Sequence, residues 1–455
     1  MFKKIVITPL LMIVMYLSAF SFAYADIAGS WKGELAIGGT TKLPLIMHFT
    51  IENDKITATM DSPAQGAADI PVDDVVVSDN ISFSVNAIGM SFVGKLTQPD
   101  TITGTFSQGS AKLPLVLIRS HDARQALNRP QTPVAPFDYV SEEVTFDNTS
   151  ANITLAGTLT KPQGNEQFAA VILISGSGPQ DRDETLFGHK PFAVIADYLT
   201  KSGLAVLRFD DRGTAQSQGD FANATSEDFA SDVQAAFDFL TTRADIDPRN
   251  IGLIGHSEGG MIAPMVASQN KQIAFVVMMA GLGVDGVTLL TQQSFDIQKR
   301  MGVDEGALIK ERQQDTQLFK QIAQGMSTDD IRQFLINQQG LNEADATSKA
   351  QQMSSAWMRF FLSYQPKQYL AQVKCPLLAI NGSKDLQVAA SENLAAIEQI
   401  LTQSNHPDFV VHSLPGLNHL FQQAETGLPN EYATIENTMD IAVLKLMAEW
   451  INART

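Results

Sequence analysis

Gly255-His256-Ser257-Glu258-Gly259-Gly260 follows the apolar run Ile251 to Ile254, and that succession decides the fold. A Gly-x-Ser-x-Gly at the end of a buried strand sets a serine on a sharp strand-to-helix turn, with its hydroxyl exposed at the end of the sheet. Backbones pass close together in such a turn, so the flanking side chains must be small, and Gly255 and Gly259 meet that need. A serine hydroxyl keeps its proton at neutral pH. It becomes a nucleophile only with a base in hydrogen-bond reach and a third group to orient that base.

Both groups are found downstream. The loop Asn381-Gly382-Ser383-Lys384-Asp385 directly follows an apolar strand ending at Ile380, which puts Asp385 at a strand's carboxyl end, where an orienting acid belongs. Leu414-Pro415-Gly416-Leu417-Asn418-His419 follows the last strand and places His419, the base, ahead of the final helix. Three other histidines compete. His256 adjoins the serine, but neighbours in a tight turn diverge, so it is read as structural support. His412 lies within or at the end of a strand and His406 in the polar loop before it, and neither has the position a base requires. Attack on a carbonyl also needs preorganised N–H donors for the oxyanion. The Glu258 N–H supplies one; the Ser177 N–H, in the Gly-rich loop Ser175-Gly176-Ser177-Gly178-Pro179-Gln180-Asp181-Arg182-Asp183, supplies the other. That loop lacks the Gly-Lys-Ser/Thr ending of a phosphate-binding loop and the spacing of a dinucleotide fingerprint.

Around these motifs, Ala169 to Ile174, Ala205 to Phe209, Ile251 to Ile254, Phe275 to Met279, Pro376 to Ile380 and Phe409 to His412 read as short buried strands. Tyr139 to Phe146 and Ile153 to Leu159 read as a β-pair. Amphipathic stripes separate several strands: Phe192, Ile195, Ala196 and Leu199, then Phe229, Val233, Ala236, Phe237 and Leu240 behind a capping box of Thr225 and Asp228. Such alternation predicts a mostly parallel sheet with helices on both faces. Gly286 to about Gln372 contains no convincing strand and reads as an inserted helical cap. Met301, Met326, Met353, Phe360 and Phe361 are candidates either to line an adaptable apolar site or simply to pack cap helices.

The preceding region differs. From residue 26 to 119 the pattern has period two, with Ile81, Phe83 and Val85 set against Ser82, Ser84 and Asn86, and a turn signal at Asn53-Asp54. It reads as a small all-β sandwich or barrel. Lys42-Leu43-Pro44-Leu45 recurs as Lys112-Leu113-Pro114-Leu115, and prolines inside strands call for edge positions or bulges. Residues 120–137, with Pro130, Pro133 and Pro136, have the composition of a linker, so a second domain is expected over 138–455, with its cap at about 286–372.

At 455 residues the chain has room for a catalytic and an accessory domain. Lys3-Lys4, the apolar stretch Ile5 to Phe22 and Ala23-Tyr24-Ala25 predict a secretory signal over 1–25, cleaved after Ala25, with a periplasmic or secreted product and no stable membrane insertion afterwards. The net charge of −17 becomes −19 without Lys3 and Lys4, a surface that repels nucleic acid and anionic lipid. The single cysteine, Cys375, permits no intrachain disulfide.

Taken with Arg208-Phe209-Asp210-Asp211-Arg212-Gly213, the four motifs at Ser175, Gly255, Asn381 and Leu417 resemble the α/β-hydrolase superfamily, in particular bacterial esterases of the EstD type and the related serine aminopeptidase-like group. The resemblance covers Asp138 to the C-terminus. It implies an α/β-hydrolase fold with Ser257 as nucleophile, Asp385 as acid and His419 as base, no metal or organic cofactor, and a small-molecule ester as substrate. Two positions depart from the pattern: Ser175 stands where members often carry His, and Ala215 where they often carry Gly. The run Asp210-Asp211-Arg212 is expected to brace the site by ion pairing. A peptidase of the same fold is the alternative, needing cap carboxylates such as Glu305, Glu311 or Glu343 to hold a substrate ammonium. A third reading is a non-catalytic ligand-binding protein.

Overall fold

Alternation of Ile81, Phe83 and Val85 with Ser82 and Ser84 turns every second side chain inward, and in the computed structural model the inward set is buried. The structure describes residues 27–37, 41–52, 55–62, 67–78, 80–109, 111–120 and 128–455; the expected signal over 1–25 and the Asn53-Asp54 turn lie outside the described residues. Eight antiparallel strands carry the same alternation: β1 (Gly29–Ile37), β2 (Thr41–Glu52), β3 (Lys55–Ser62), β4 (Ala67–Val77), β5 (Ile81–Val85), β6 (Met90–Gln98), β7 (Thr101–Gln108) and β8 (Ala111–Ser120). They close into a barrel, β1 pairing with β8 as well as β2, so no edge is left unpaired. Trp31, Phe49, Phe83 and Phe92 fill its interior, the last two stacked with ring centroids 4.9 Å apart.

The two Lys-Leu-Pro-Leu repeats fall on β2 and β8, the two neighbours of β1. Pro44 pairs with Glu34 and Pro114 with Thr105, each with a partner on one side only among the described residues. A residue without an N–H is tolerated there even in a closed barrel.

The second unit runs from Leu127 to Thr455. Its sheet orders eight strands as β16-β15-β14-β13-β11-β12-β10-β9: β9 (Val140–Asn148), β10 (Ile153–Lys161), β11 (Phe168–Ile174), β12 (Ala205–Phe209), β13 (Ile246–His256), β14 (Val276–Met279), β15 (Leu377–Gly382) and β16 (Phe409–Leu414). β9, β10 and β12 are joined antiparallel and the remaining pairings are parallel. Burial on both faces explains the unbroken apolar runs: Ala170, Ile172 and Ile174 of β11 enter one core layer, Val171 and Leu173 the other.

Helices α1 (Pro191–Lys201), α2 (Ser226–Thr241) and α3 (Glu258–Gln269) follow β11, β12 and β13, and α2 opens with the expected box, the Thr225 N–H donating to Asp228 at 2.8 Å. Residues 286–370 form six helices, α4 (Gly286–Arg300), α5 (Glu305–Ala323), α6 (Thr328–Gln339), α7 (Glu343–Met353), α8 (Ala356–Ser363) and α9 (Pro366–Leu370), several of which share a small core around Leu318, Ile322, Ile331 and Leu335. Two more helices, α10 (Ala390–Gln403) and α11 (Ile441–Asn452), cover opposite faces of the sheet.

One boundary differs from the sequence reading. Residues 128–137, expected to belong to a linker over 120–137, bond into the second unit: Arg129 donates to the carbonyls of Phe187, Ala433 and Ile435, and Gln131 exchanges two hydrogen bonds with the Met439 backbone. Proline content marked a chain that forms no helix; it did not show that one arginine would find three carbonyls.

Candidate active site

β13 leads straight into the turn at Ser257, whose backbone is held at φ 54 and ψ −115. That conformation is strained for a residue with a side chain and survives only where the surroundings enforce it. The enforcement is visible at the two glycines: a Cβ on Gly255 would lie 1.9 Å from the Gly259 carbonyl oxygen, and one on Gly259 would lie 2.1 Å from that of Ile174. The Ser257 N–H is tied to the Met279 carbonyl at 2.9 Å, and α3 begins at the next residue.

Asp385 lies in the turn after β15 and His419 in the loop after β16, both buried. His419 Nδ1 lies 2.7 Å from Asp385 Oδ2, while Asp385 Oδ1 accepts from the N–H groups of Gln387 and Val388 at 2.8 and 2.9 Å. An aspartate so held fixes the imidazole tautomer, with the proton on Nδ1 and a lone pair on Nε2. His419 and Ser257 line one cavity of about 260 Å³, together with Ser177, Glu258 and Leu420. No hydrogen bond joins the Ser257 hydroxyl to His419 in this arrangement; bonds of this type often tighten only when substrate is present.

The other expected site residues fall beside them. Among the described residues neither the Ser177 nor the Glu258 N–H has a protein acceptor, and Glu258 heads a helix whose first N–H groups have no partner within the helix. The loop carrying Ser177 is fastened at both ends. Gly176 N–H donates to Glu184 at 2.8 Å; Ser175 Oγ and Gln180 N–H donate to the two oxygens of Asp211 at 2.6 and 2.9 Å. A serine hydroxyl thus anchors the loop at the first of the two positions that depart from the expected pattern. Ala215, at the other departure, adopts φ 47, a left-handed conformation that suits glycine better. Asp210 and Arg212 brace by ion pairing as expected, with Arg182 and Asp232 respectively; Asp211 braces by hydrogen bonds instead. Burial, with smaller contributions from the Glu258 and Glu184 carboxylates, pushes Asp211 up to about 7.

The cap side of the cavity is mostly apolar, with Gln293 as its one polar amide. Leu289 and Leu290 of α4 and Trp357 and Phe361 of α8 line it. Of the five cap residues singled out in the sequence, only Phe361 does so: Met353 is in the cap's own core, Met326 packs against that core, Phe360 packs beside the cavity wall, and Met301 is exposed. Trp357 was not legible in advance, because its role depends on a contact 99 residues away, where its Nε1 donates to Glu258 Oε1 at 2.8 Å. Ser226 Oγ donates to the same oxygen at 2.6 Å, and burial raises the Glu258 carboxyl above the usual carboxylate range. Among the described residues no group of three or more His, Cys, Asp or Glu could hold a metal ion.

The family model described as X-Pro dipeptidyl-peptidase (S15 family) matches residues 98–413. Esterase EstD of Thermotoga maritima is 24% identical over 318 residues, 69% of each chain, and the uncharacterized peptidase YuxL of Bacillus subtilis is 26% identical over 204 residues, 43% of this chain and 29% of its own. Among solved structures, the hypothetical protein PA2218 from Pseudomonas aeruginosa aligns at 18% identity and a TM-score of 0.46, covering 73% of this chain and 99% of its own.

Proposed function

The chain belongs to the X-Pro dipeptidyl-peptidase (S15) family and is an α/β-hydrolase-type serine hydrolase, and from that premise we propose that it cleaves carboxylic esters through an acyl-enzyme on Ser257. The observation that carries the reading is the shared cavity of Ser257 and His419 with Asp385 bonded behind the ring. In this mechanism the Ser257 Oγ attacks the ester carbonyl while His419 Nε2 takes its proton. The carbonyl electron pair becomes an oxyanion facing the Ser177 and Glu258 N–H groups, reinforced by the N-terminus of α3. Collapse expels the alcohol, which receives the proton from His419, and water then releases the acid by the same steps in reverse.

Carboxylate placement supports an ester over a substrate with a free ammonium. Glu305 pairs with Lys299, Glu343 with Arg332, and Glu311 accepts from Gln298; none of the three lines the cavity. Glu184 and Glu258, which do line it, hold internal donors. The family match favours a second reading, cleavage of peptides behind an X-Pro unit. Short-chain aryl esters assayed beside X-Pro anilides separate the two: higher kcat/KM on the esters is expected, and a preference for the anilides sinks the ester reading. Export of the mature protein remains part of the proposal, supported by the basic and apolar N-terminus. N-terminal sequencing of the secreted protein should begin at Asp26.

A further inference from the structure

Behind the serine lies a second histidine–carboxylate pair that the mechanism above does not use. His256 is buried next to the nucleophile, its Nδ1 2.9 Å from Glu184 Oε1 and its Nε2 3.0 Å from the backbone carbonyl oxygen of His419. A carbonyl oxygen only accepts, so Nε2 carries a proton. The opposite contact then also needs a proton between Nδ1 and the carboxyl oxygen, because Oε1 already accepts from the Gly176 N–H and two bare acceptors would repel. Burial is the largest single influence and lowers the His256 value, but the Glu184 carboxylate and its hydrogen bond, with the His419 carbonyl and Asp385, together outweigh it and the net shift is upward, in keeping with a proton held along the Nδ1–Oε1 contact.

Glu184 is an unusual residue for this task by its backbone, standing at φ 52, a left-handed conformation that a glutamate adopts only under constraint. Its second carboxyl oxygen is buried without a partner. A strained backbone and an unpaired oxygen both work against stability, and what they retain is one carboxyl oxygen joining two loops.

We propose that Glu184 and His256 are positioning residues that lock the oxyanion loop, through Gly176, to the loop of the base, through the His419 carbonyl. The inference rests on the acyl-enzyme reading of Ser257 and His419. Its electrical side follows from distance: the His256 and His419 rings lie 4.8 Å apart, centroid to centroid, so a bare charge on either member of the pair would act on the ring that must accept the serine proton. Paired, the two are neutral as a unit. The other titratable groups facing them are Asp211 and Glu258 on the oxyanion side and Asp385 and His419 on the base side.

Steady-state kinetics on an aryl ester across pH, with folding checked by circular dichroism, tests this on Glu184→Gln and His256→Gln. Glutamine at 184 keeps an acceptor oxygen for Gly176 but removes the charge that holds a proton on the His256 contact, so that oxygen then faces a bare Nδ1, and glutamine at 256 leaves the Glu184 carboxylate without its partner. Both variants should lose about tenfold to a hundredfold in kcat with KM little changed, the scale of a small misplacement of reacting groups. In His256→Gln the acid limb of the pH–rate profile should move to higher pH, since an unpaired anion favours a protonated His419; in Glu184→Gln it should not. Wild-type kcat in both variants, or one common acid limb in all three enzymes, overturns the proposal. Should either variant fail to fold, Glu184→Asp, which withdraws the charge by one methylene, is judged by the same kcat criterion. Ser257→Ala keeps the two readings apart: activity surviving there removes the acyl-enzyme mechanism, whereas an inert Ser257→Ala beside unaffected Glu184 and His256 variants removes only the positioning pair.

Discussion

On the barrel wall the Ser30 hydroxyl lies 2.9 Å from His48 Nδ1, and His48 Nε2 lies 2.7 Å from Asp61 Oδ2. The barrel thus holds the same three residue types as the site at Ser257, in a more closely bonded row. Their surroundings differ in every other respect. Ser30, His48 and Asp61 sit on adjacent paired strands, alternating with inward residues such as Trp31, Met47 and Met60. Ser30 has extended strand backbone and no helix begins beside it. Ser257 stands at φ 54 on a strained turn, with a helix N-terminus, two N–H groups without acceptors and a cavity in front of it. Hydrogen-bonded proximity of serine, histidine and aspartate follows readily from cross-strand pairing. A reactive serine also needs donors placed where negative charge develops and room for a carbonyl carbon.

The comparison breaks most directly at the two serines. Ser257→Ala should lose ester hydrolysis by about 10⁴-fold or more, while Ser30→Ala retains wild-type kcat/KM. Residual turnover in Ser257→Ala that disappears in the double variant would mean the barrel trio is a working site. The acids sharpen it next. Asp385→Asn should lower kcat by about 10⁴-fold, because the amide can present its N–H₂ to Nδ1 and select the wrong tautomer, and Asp61→Asn should leave kcat unchanged.

Backbone crowding gives a smaller, structural effect. Gly259→Ala puts a methyl 2.1 Å from a carbonyl oxygen, so the elbow must shift. A loss of about 3 kcal/mol in denaturant unfolding of the second unit's transition is expected, with the barrel transition unaffected. Equal stability to wild type would show that the turn is not held by close approach.

At Asp211 the effect appears only as pH is varied. Its folded value, about 7, lies above the ordinary 3.8, so between those values the folded state binds a proton that the unfolded state has released. Stability attributable to this group is therefore full below pH 3.8 and falls as pH rises to about 7, beyond which the penalty is constant. Asp211→Asn does not titrate, so its Tm should gain on the wild type across that interval and run parallel above it. A Tm difference that stays flat from acid to neutral pH would refute the burial assigned to this carboxyl.

The legibility of the two regions was unequal for a physical reason. Ser257, Asp385 and His419 each follow the carboxyl end of a strand within a few residues, and the period of the strand with the glycines after it is local information. The barrel trio left no such trace, because Ser30 meets His48 only through strand register. Glu184, His256 and Trp357 are similar cases: their contacts join residues 72, 163 and 99 positions apart.

What the chain carried by itself was the order of elements, the elbow, and the loops at the sheet's carboxyl edge, since these depend on periodicity, small residues and turn chemistry over a few neighbouring positions. Tertiary structure alone decided barrel closure, the anchoring of residues 128–137, the cap residues that reach the cavity, and the carboxylates that brace it. Those outcomes depend on which polar groups find partners once apolar surfaces have met, and hydrogen bonds between distant segments exist only after the core has brought them within 3 Å or so of each other.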